Sequence, residues 1–217
     1  MIESKAFFHD GYWVRFYVNK HHIVNLFRQT RSEILNKTAI FLDQIIDGTV
    51  VPYDLFTSKD TKRVTGILEK NLARFDNFKS IREKENDLLP FINAGLRKLS
   101  EKEPTSKSRH RYVLTEILEK EPTSIASEVP VFDEVMQVTG HIDLLRYNPK
   151  IDKLEVLDYK PEGDVVENVQ TQILLYRELL CKLILNLKLE DIVVKWFTNR
   201  EIFQVKVGDQ ISTKLEW

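Results

Sequence analysis

Two aspartates and a lysine carry the most specific chemistry in this chain: Asp143 in Gly140-His141-Ile142-Asp143, and Asp158 with Lys160 in Asp158-Tyr159-Lys160. They sit on two stretches of alternating apolar and polar residues, Gly140 to Tyr147 and Lys153 to Lys160, joined by Asn148-Pro149-Lys150-Ile151-Asp152. The alternation predicts two strands and Asn-Pro predicts the turn between them, so the segment reads as a hairpin. With the turn centred near Lys150 and Ile151, Asp143 falls opposite Asp158, where directly opposed side chains have Cβ atoms roughly 4.5 to 5.5 Å apart on one face. Lys160, two residues on, shares that face, and Tyr159 points the other way. Opposed like charges destabilise a bare sheet, so the arrangement predicts a cation between them. A hard divalent ion such as Mg2+ suits one or two carboxylates that leave room for water and phosphate. The plain alternative is a surface hairpin with solvated charges; Leu145, Leu154 and Val156 on the same face favour an inward face with a polar end.

Gly140-x-x-Asp143 followed by Asp158-Tyr159-Lys160 resembles the paired motif of the PD-(D/E)XK nuclease superfamily. Gln172-Ile173-Leu174-Leu175-Tyr176 resembles the Q-x-x-x-Y motif of its RecB-like branch, and Glu128-Val129-Pro130 resembles that branch's strand entering the site. The four motifs stand in the family's order and span about residues 105 to 200. The resemblance implies an α/β fold with a restriction-endonuclease-like core at 101–217: a helix, a three-strand antiparallel meander, a helix and a strand. Residues 1–100 match no motif and read as a mainly helical N-terminal region, a candidate DNA-binding lobe.

The implied activity is a Mg2+- or Mn2+-dependent deoxyribonuclease. Asp143, Asp158 and the Tyr159 carbonyl would hold the ion with His110 completing its shell, and Lys160 would orient the attacking water or stabilise charge on phosphorus. Glu128 would bind the ion through water or hold Lys160, while Gln172 and Tyr176 would position the lysine or touch the DNA backbone. The implied partner is DNA, single-stranded or with free ends, together with a helicase or recombination partner. Nothing in the sequence reads bases. Two other readings stand beside this one: the same fold with a silent site, acting as a nucleic-acid clamp, and a restriction-type endonuclease, against which Gln172-x-x-x-Tyr176 argues.

A chain of 217 residues suffices for one sizeable core, and 42% hydrophobic content is that of a globular protein. No apolar run approaches eighteen residues and the N-terminus lacks a signal pattern, so a cytoplasmic, intracellular protein is expected. Cys181 is the only cysteine, which excludes a disulfide framework and a four-cysteine iron-sulfur cluster, a feature that some RecB-like nucleases carry. Net charge is -1, yet residues 59 to 111 hold 14 Lys and Arg against 8 Asp and Glu, so one region attracts phosphate while the rest does not.

Along the chain, aromatics around Asp10-Gly11 predict an N-terminal hairpin whose rings pack the core rather than stack bases. Residues 21–46 show helical periodicity ended by Asp47-Gly48, and the adjacent His21 and His22 mark a helix start rather than a ligand pair. Helices are expected from Ser58 or Asp60 to Phe75 and from Asn77 to Leu99, the latter kinked or split by Pro90. Lys62, Arg63, Lys70, Arg74, Lys79 and Arg82 along them, interleaved with Phe75 and Phe78, suit single-stranded nucleic acid. Glu101-Lys102-Glu103-Pro104-Thr105-Ser106 recurs at 119–124 as helix-stop punctuation. Between the copies, His110 shares a helix face with Val113, Leu114 and Ile117, either as a half-buried core histidine or, as the resemblance implies, as a metal ligand. Strands over 125–132 and 135–147 precede the second arm of the hairpin. Asp164 is expected to cap a helix through about Asn186 on which Gln172 and Tyr176 share a face, and strands over 192–198 and 202–207 close the chain.

Overall fold

A computed structural model describes residues 1–9, 11–100, 106–161 and 166–207. The expected turn residue Asp10, the first Glu101-to-Thr105 segment of the repeat and the expected cap Asp164 lie outside the described residues. The chain is mixed α/β, built on a nine-stranded, mostly antiparallel sheet.

An N-terminal hairpin, β1 (Ile2–His9) and β2 (Tyr12–Asn19), turns at Gly11, whose φ of 85° a residue with a side chain rarely adopts. Strand β2 pairs with β5 (Ser124–Asp133), which opens the antiparallel meander β5, β6 (Val138–Asn148) and β7 (Lys153–Tyr159). The β6–β7 ladder runs from Leu144↔Leu157 to Asn148↔Lys153, the register that the Asn148-Pro149 turn predicts. Helix α7 (Val166–Leu183) crosses over to β8 (Ile192–Phe197), which runs parallel to β7, as such a crossover requires. Beyond it come β9 (Ile202–Val207) and β4 (Phe78–Arg82). A two-residue strand, β3 (Lys62–Arg63), pairs in parallel with Val138 and Thr139 of β6.

Both faces of the meander are covered, which is why its strands are buried nearly end to end. One face carries Leu145, Tyr147, Leu154 and Val156, packed into a core with α7, α1 (Lys20–Thr30) and α2 (Glu33–Asp47). The other carries Leu144, Leu157 and Tyr159 against Ile92 of α5 (Leu89–Ser100) and Val113, Leu114 and Ile117 of α6 (Ser106–Lys120). Polar positions in the strands are therefore inside and paired. Arg146 meets Asp87 at 2.7 Å and Glu121 at 3.3 Å, and Lys195 meets Glu83 and Glu155, each at 3.0 Å.

Three helix expectations are corrected. Residues 20–47 form two helices, because Arg31 takes a left-handed φ of 52° and Ser32 caps the second through the Leu35 N–H. After a short helix, α3 (Tyr53–Thr57), residues 58–75 form β3 and three single turns, Val64–Ile67, α4 (Leu68–Asn71) and Leu72–Phe75, rather than one helix. Residues 78–82 form a strand on the open edge of β9, a pairing more than a hundred residues distant that overrides local propensity. Pro90 then lies in the first turn of α5, where its missing N–H costs nothing, and does not kink it. The four strands from residues 1–100 share one sheet with the five that follow, and one core cluster draws on both regions. Among the described residues no helix is long and apolar enough to cross a membrane.

Helix α6 is held close to α5 by Gly95. A Cβ there would stand 2.8 Å from Val113 Cα and 2.9 Å from the Tyr112 carbonyl oxygen, both backbone atoms that cannot rotate aside. Gly95→Ala is expected to destabilise the protein by ~1–3 kcal/mol in urea unfolding. A change within error would mean the two helices separate freely.

Candidate metal centre

The carboxylates meet where the meander loses regular pairing. Glu128, between the paired Ser127 and Val129 of β5, lies opposite Asp143 of β6, and Asp143 lies one position beyond the last β6–β7 pair, opposite Asp158. Three acidic residues thus occupy one row across three neighbouring strands. Glu128 has a φ of 54°, a left-handed conformation in mid-strand that costs a non-glycine residue about 1–3 kcal/mol.

On the far flank of β6 from β5, β7 covers residues 144–148 and β3 covers 138–139. Gly140 to Asp143 therefore have no strand partner on that flank among the described residues. The opening lies between the end of β7 and Arg63. A Cβ on Gly140 would stand 2.6 Å from Tyr176 Cε1 and 3.1 Å from Val64 Cγ2, so a residue without a side chain lets α7 lie against this bare stretch.

His110 reaches the row from α6. Its Nε2 is 3.0 Å from Asp143 Oδ2 and its Nδ1 is 3.6 Å from Glu128 Oε1, so a carboxylate faces each ring nitrogen. Burial disfavours the imidazolium, but Asp143 and Glu128 outweigh it and push the His110 pKa up to about 11. Burial likewise works to raise Asp143, yet His110, Lys160 and the Tyr159 N–H at 2.7 Å hold it below its ordinary value. Asp158 goes the other way: burial and the neighbouring Asp143 push it up to about 7 against the pull of Lys160. Burial, with Asp143 beside it, also raises Glu128 despite His110.

Asp158 is almost wholly buried and has two distinct oxygens. Lys160 Nζ stands 2.8 Å from Oδ2 as an ion pair. Gln172 Nε2 is 3.4 Å from Oδ1 and donates to the Tyr176 hydroxyl at 2.9 Å. Burial first, then the two aspartates, raise the Tyr176 pKa far above that of a free phenol, so its hydroxyl stays protonated.

All seven side chains that the motifs nominate (Glu128, His110, Asp143, Asp158, Lys160, Gln172 and Tyr176) converge here. The grouping differs from the expected ligand set in one respect. The ligand atoms of His110, Glu128 and Asp143 all lie within 4.8 Å of one another, whereas Asp158 stands beside them with Lys160. Tyr159 engages Asp143 through its N–H. These residues fit a hard divalent ion. Two carboxylates and an imidazole are adequate donors, and the row carries three acidic groups in a largely buried place.

Of the six basic residues nominated for nucleic acid, only Arg63 comes to the site. It is half-buried at the rim, where its charge bears on Glu128, His141 and Tyr176. Lys62, Lys70, Arg74, Lys79 and Arg82 are exposed, Arg74 being paired with Glu178 and Arg82 with Glu201. Arg63 is set apart by the backbone pairing Arg63↔Thr139, for which the sequence carries no local signal.

Comparison of the chain with protein-family models, with curated proteins and with solved structures finds no match.

The charge of His110 depends on its carboxylate neighbours, so Asp143→Asn is expected to lower its pKa by ~1–3 units, read from the ring resonances in an NMR titration of metal-free protein. A ring that titrates as in the wild type would show that Asp143 does not hold the proton.

Proposed function

We propose that this chain is a Mg2+- or Mn2+-dependent nuclease that hydrolyses DNA phosphodiesters at ends, flaps or single strands, with a restriction-endonuclease-like core of the RecB-like type. The observation that carries this reading is the convergence of His110, Glu128 and Asp143 with the Asp158–Lys160 pair at one end of the meander. The element order α6, β5, β6, β7, α7, β8 supports the same core, as does the seating of Gln172 on Asp158 and Tyr176.

In this reading Asp143, Glu128 and His110 would hold the ion, with Asp158 paired to Lys160 beside them. Bound there, a divalent ion polarises the phosphoryl oxygen and brings the pKa of a coordinated water towards neutrality. To act as a ligand His110 would have to give up a proton to solvent, so binding of an ion there would be coupled to proton release. Lys160 is held against Asp158 Oδ2, where its ammonium can steady an attacking water or the charge that develops on phosphorus. Gln172 fixes the other oxygen of Asp158, and the protonated Tyr176 fixes Gln172. Arg63, on the opposite rim, attracts the phosphate backbone. None of these groups reads a base edge, which suits a substrate recognised by its form rather than its sequence.

The test is incubation of purified protein with end-labelled single-stranded, duplex and flapped DNA in Mg2+, Mn2+ or EDTA. Product that depends on the ion is expected, and Asp158→Ala should abolish it while DNA binding persists. Lys160→Ala should lower the rate by ~10²–10³-fold with the ion concentration for half activity little changed. Binding without product under every ion would overturn the reading and favour a nucleic-acid clamp.

A further inference from the structure

Lys160 is the first residue after β7, where a chain leaves its ladder and is ordinarily free to drift. Here it is not. The Lys160 N–H donates to the Phe197 carbonyl at 2.8 Å, which continues the β7–β8 pairing by one step. Asn199, in the β8–β9 corner, then grips the residue on each side of it. Its side-chain oxygen accepts the Tyr159 hydroxyl, and its side-chain nitrogen donates to the Pro161 carbonyl at 3.2 Å.

The corner that presents Asn199 is closed on itself. The Thr198 N–H donates to the Glu201 carbonyl at 2.8 Å, and Thr198 Oγ1 accepts from the N–H groups of Arg200 and Glu201 at 3.1 and 3.0 Å. Tyr159, held at its hydroxyl, stacks on Phe197 with centroids 5.0 Å apart and lies 5.5 Å from the His110 ring. One carboxamide therefore ties down both neighbours of the lysine and the aromatic floor under the histidine.

We propose that Asn199 is the positioning residue of this site: by holding the Tyr159 hydroxyl and the Pro161 carbonyl on either side of Lys160 it fixes the chain there so that the Lys160 ammonium is held against Asp158. Only a side chain with an acceptor and a donor on one planar group makes both contacts. Aspartate keeps the acceptor for Tyr159 but sets an anion against the Pro161 carbonyl; alanine loses both. The catalytic consequence rests on the nuclease reading, whereas the geometric consequence does not.

The experiment pairs a readout on metal-free protein with kinetics. In protein labelled with 15N-lysine, with Lys160→Arg to assign the signal, an ammonium held in an ion pair gives a Lys160 Nζ resonance distinct from those of solvated lysines. Asn199→Ala is expected to move that resonance towards the solvated ones, and Asn199→Asp to move it part of the way. Under steady-state turnover of single-stranded DNA, Asn199→Ala should lower kcat by ~10–100-fold with KM unchanged. Tyr159→Phe, which removes one hydroxyl and leaves the corner intact, should give a smaller loss of the same kind. A folded Asn199→Ala or Tyr159→Phe protein with the wild-type resonance and wild-type kcat would overturn the proposal, as would a rise in KM at constant kcat. If the wild type turns over no DNA while the Asn199→Ala resonance still moves, the nuclease reading fails and the positioning role stands.

Discussion

Three carboxylates in one row on adjacent strands repel one another, and most of what surrounds Glu128, Asp143 and Asp158 serves to make that row tolerable. Opposed like charges weaken a sheet in water, and in a dry interior the cost rises steeply. The row is balanced from outside the meander: His110 comes from α6, Lys160 from the chain beyond β7, and the charge of Arg63 from β3. Each support depends on a different piece of packing. α6 is seated by the Leu144 and Leu157 face of the sheet, the end of β7 is continued by β8, and β3 is carried by its two pairs to β6.

The same sheet buries a second group of charges, and the contrast between the two separates structure from chemistry. Arg146 is surrounded by Asp87, Glu121 and Glu155, and Lys195 bridges Glu83 and Glu155. Burial opposes the charges of Arg146 and Lys195, yet the acids around them hold both pKa values above their ordinary range, in the direction a stable ion pair requires. Thr123 and Asn148 add further hydrogen bonds to this network. The carboxylate row is of another kind. It keeps a residue in left-handed φ and an Asp158 that burial and Asp143 raise to about 7. Backbone strain and a carboxylate shifted upward by its surroundings are features that cluster at functional sites.

What the sequence made legible was local. The hairpin and its register follow from alternation across a proline turn, and the shared face of Gln172 and Tyr176 follows from helical spacing. His110 falls on the inward face of its helix by the same periodicity. What it hid was set by distant pairing. β4 is a strand because β9 offers an edge, and Arg63 departs from its basic neighbours because two residues join β6. Asn199 looks like any corner residue until its partners forty residues away are in place. Even the break at Arg31 has a tertiary cause, since the Ser32 hydroxyl that caps α2 also donates to Asp152 in the β6–β7 turn at 2.5 Å.

The glycine of the Gly-x-x-Asp motif shows how the local and the distant meet. In sequence Gly140 is a small residue three positions before an acid; in the structure its missing side chain is the space that the Tyr176 ring fills. Tyr176 lies against β6 there, and its hydroxyl sits where Gln172 can donate to it while approaching Asp158 Oδ1. A methyl group at position 140 would push the ring outward against α7, whose inward face is close-packed through Ile173, Leu174 and Leu180. The displacement would pass along Gln172 to the aspartate that pairs with Lys160. The motif's spacing thus encodes a stack of contacts running from a strand, through a tyrosine and a glutamine, to the carboxylate. That dependence is physical and holds whatever ligand the row accepts.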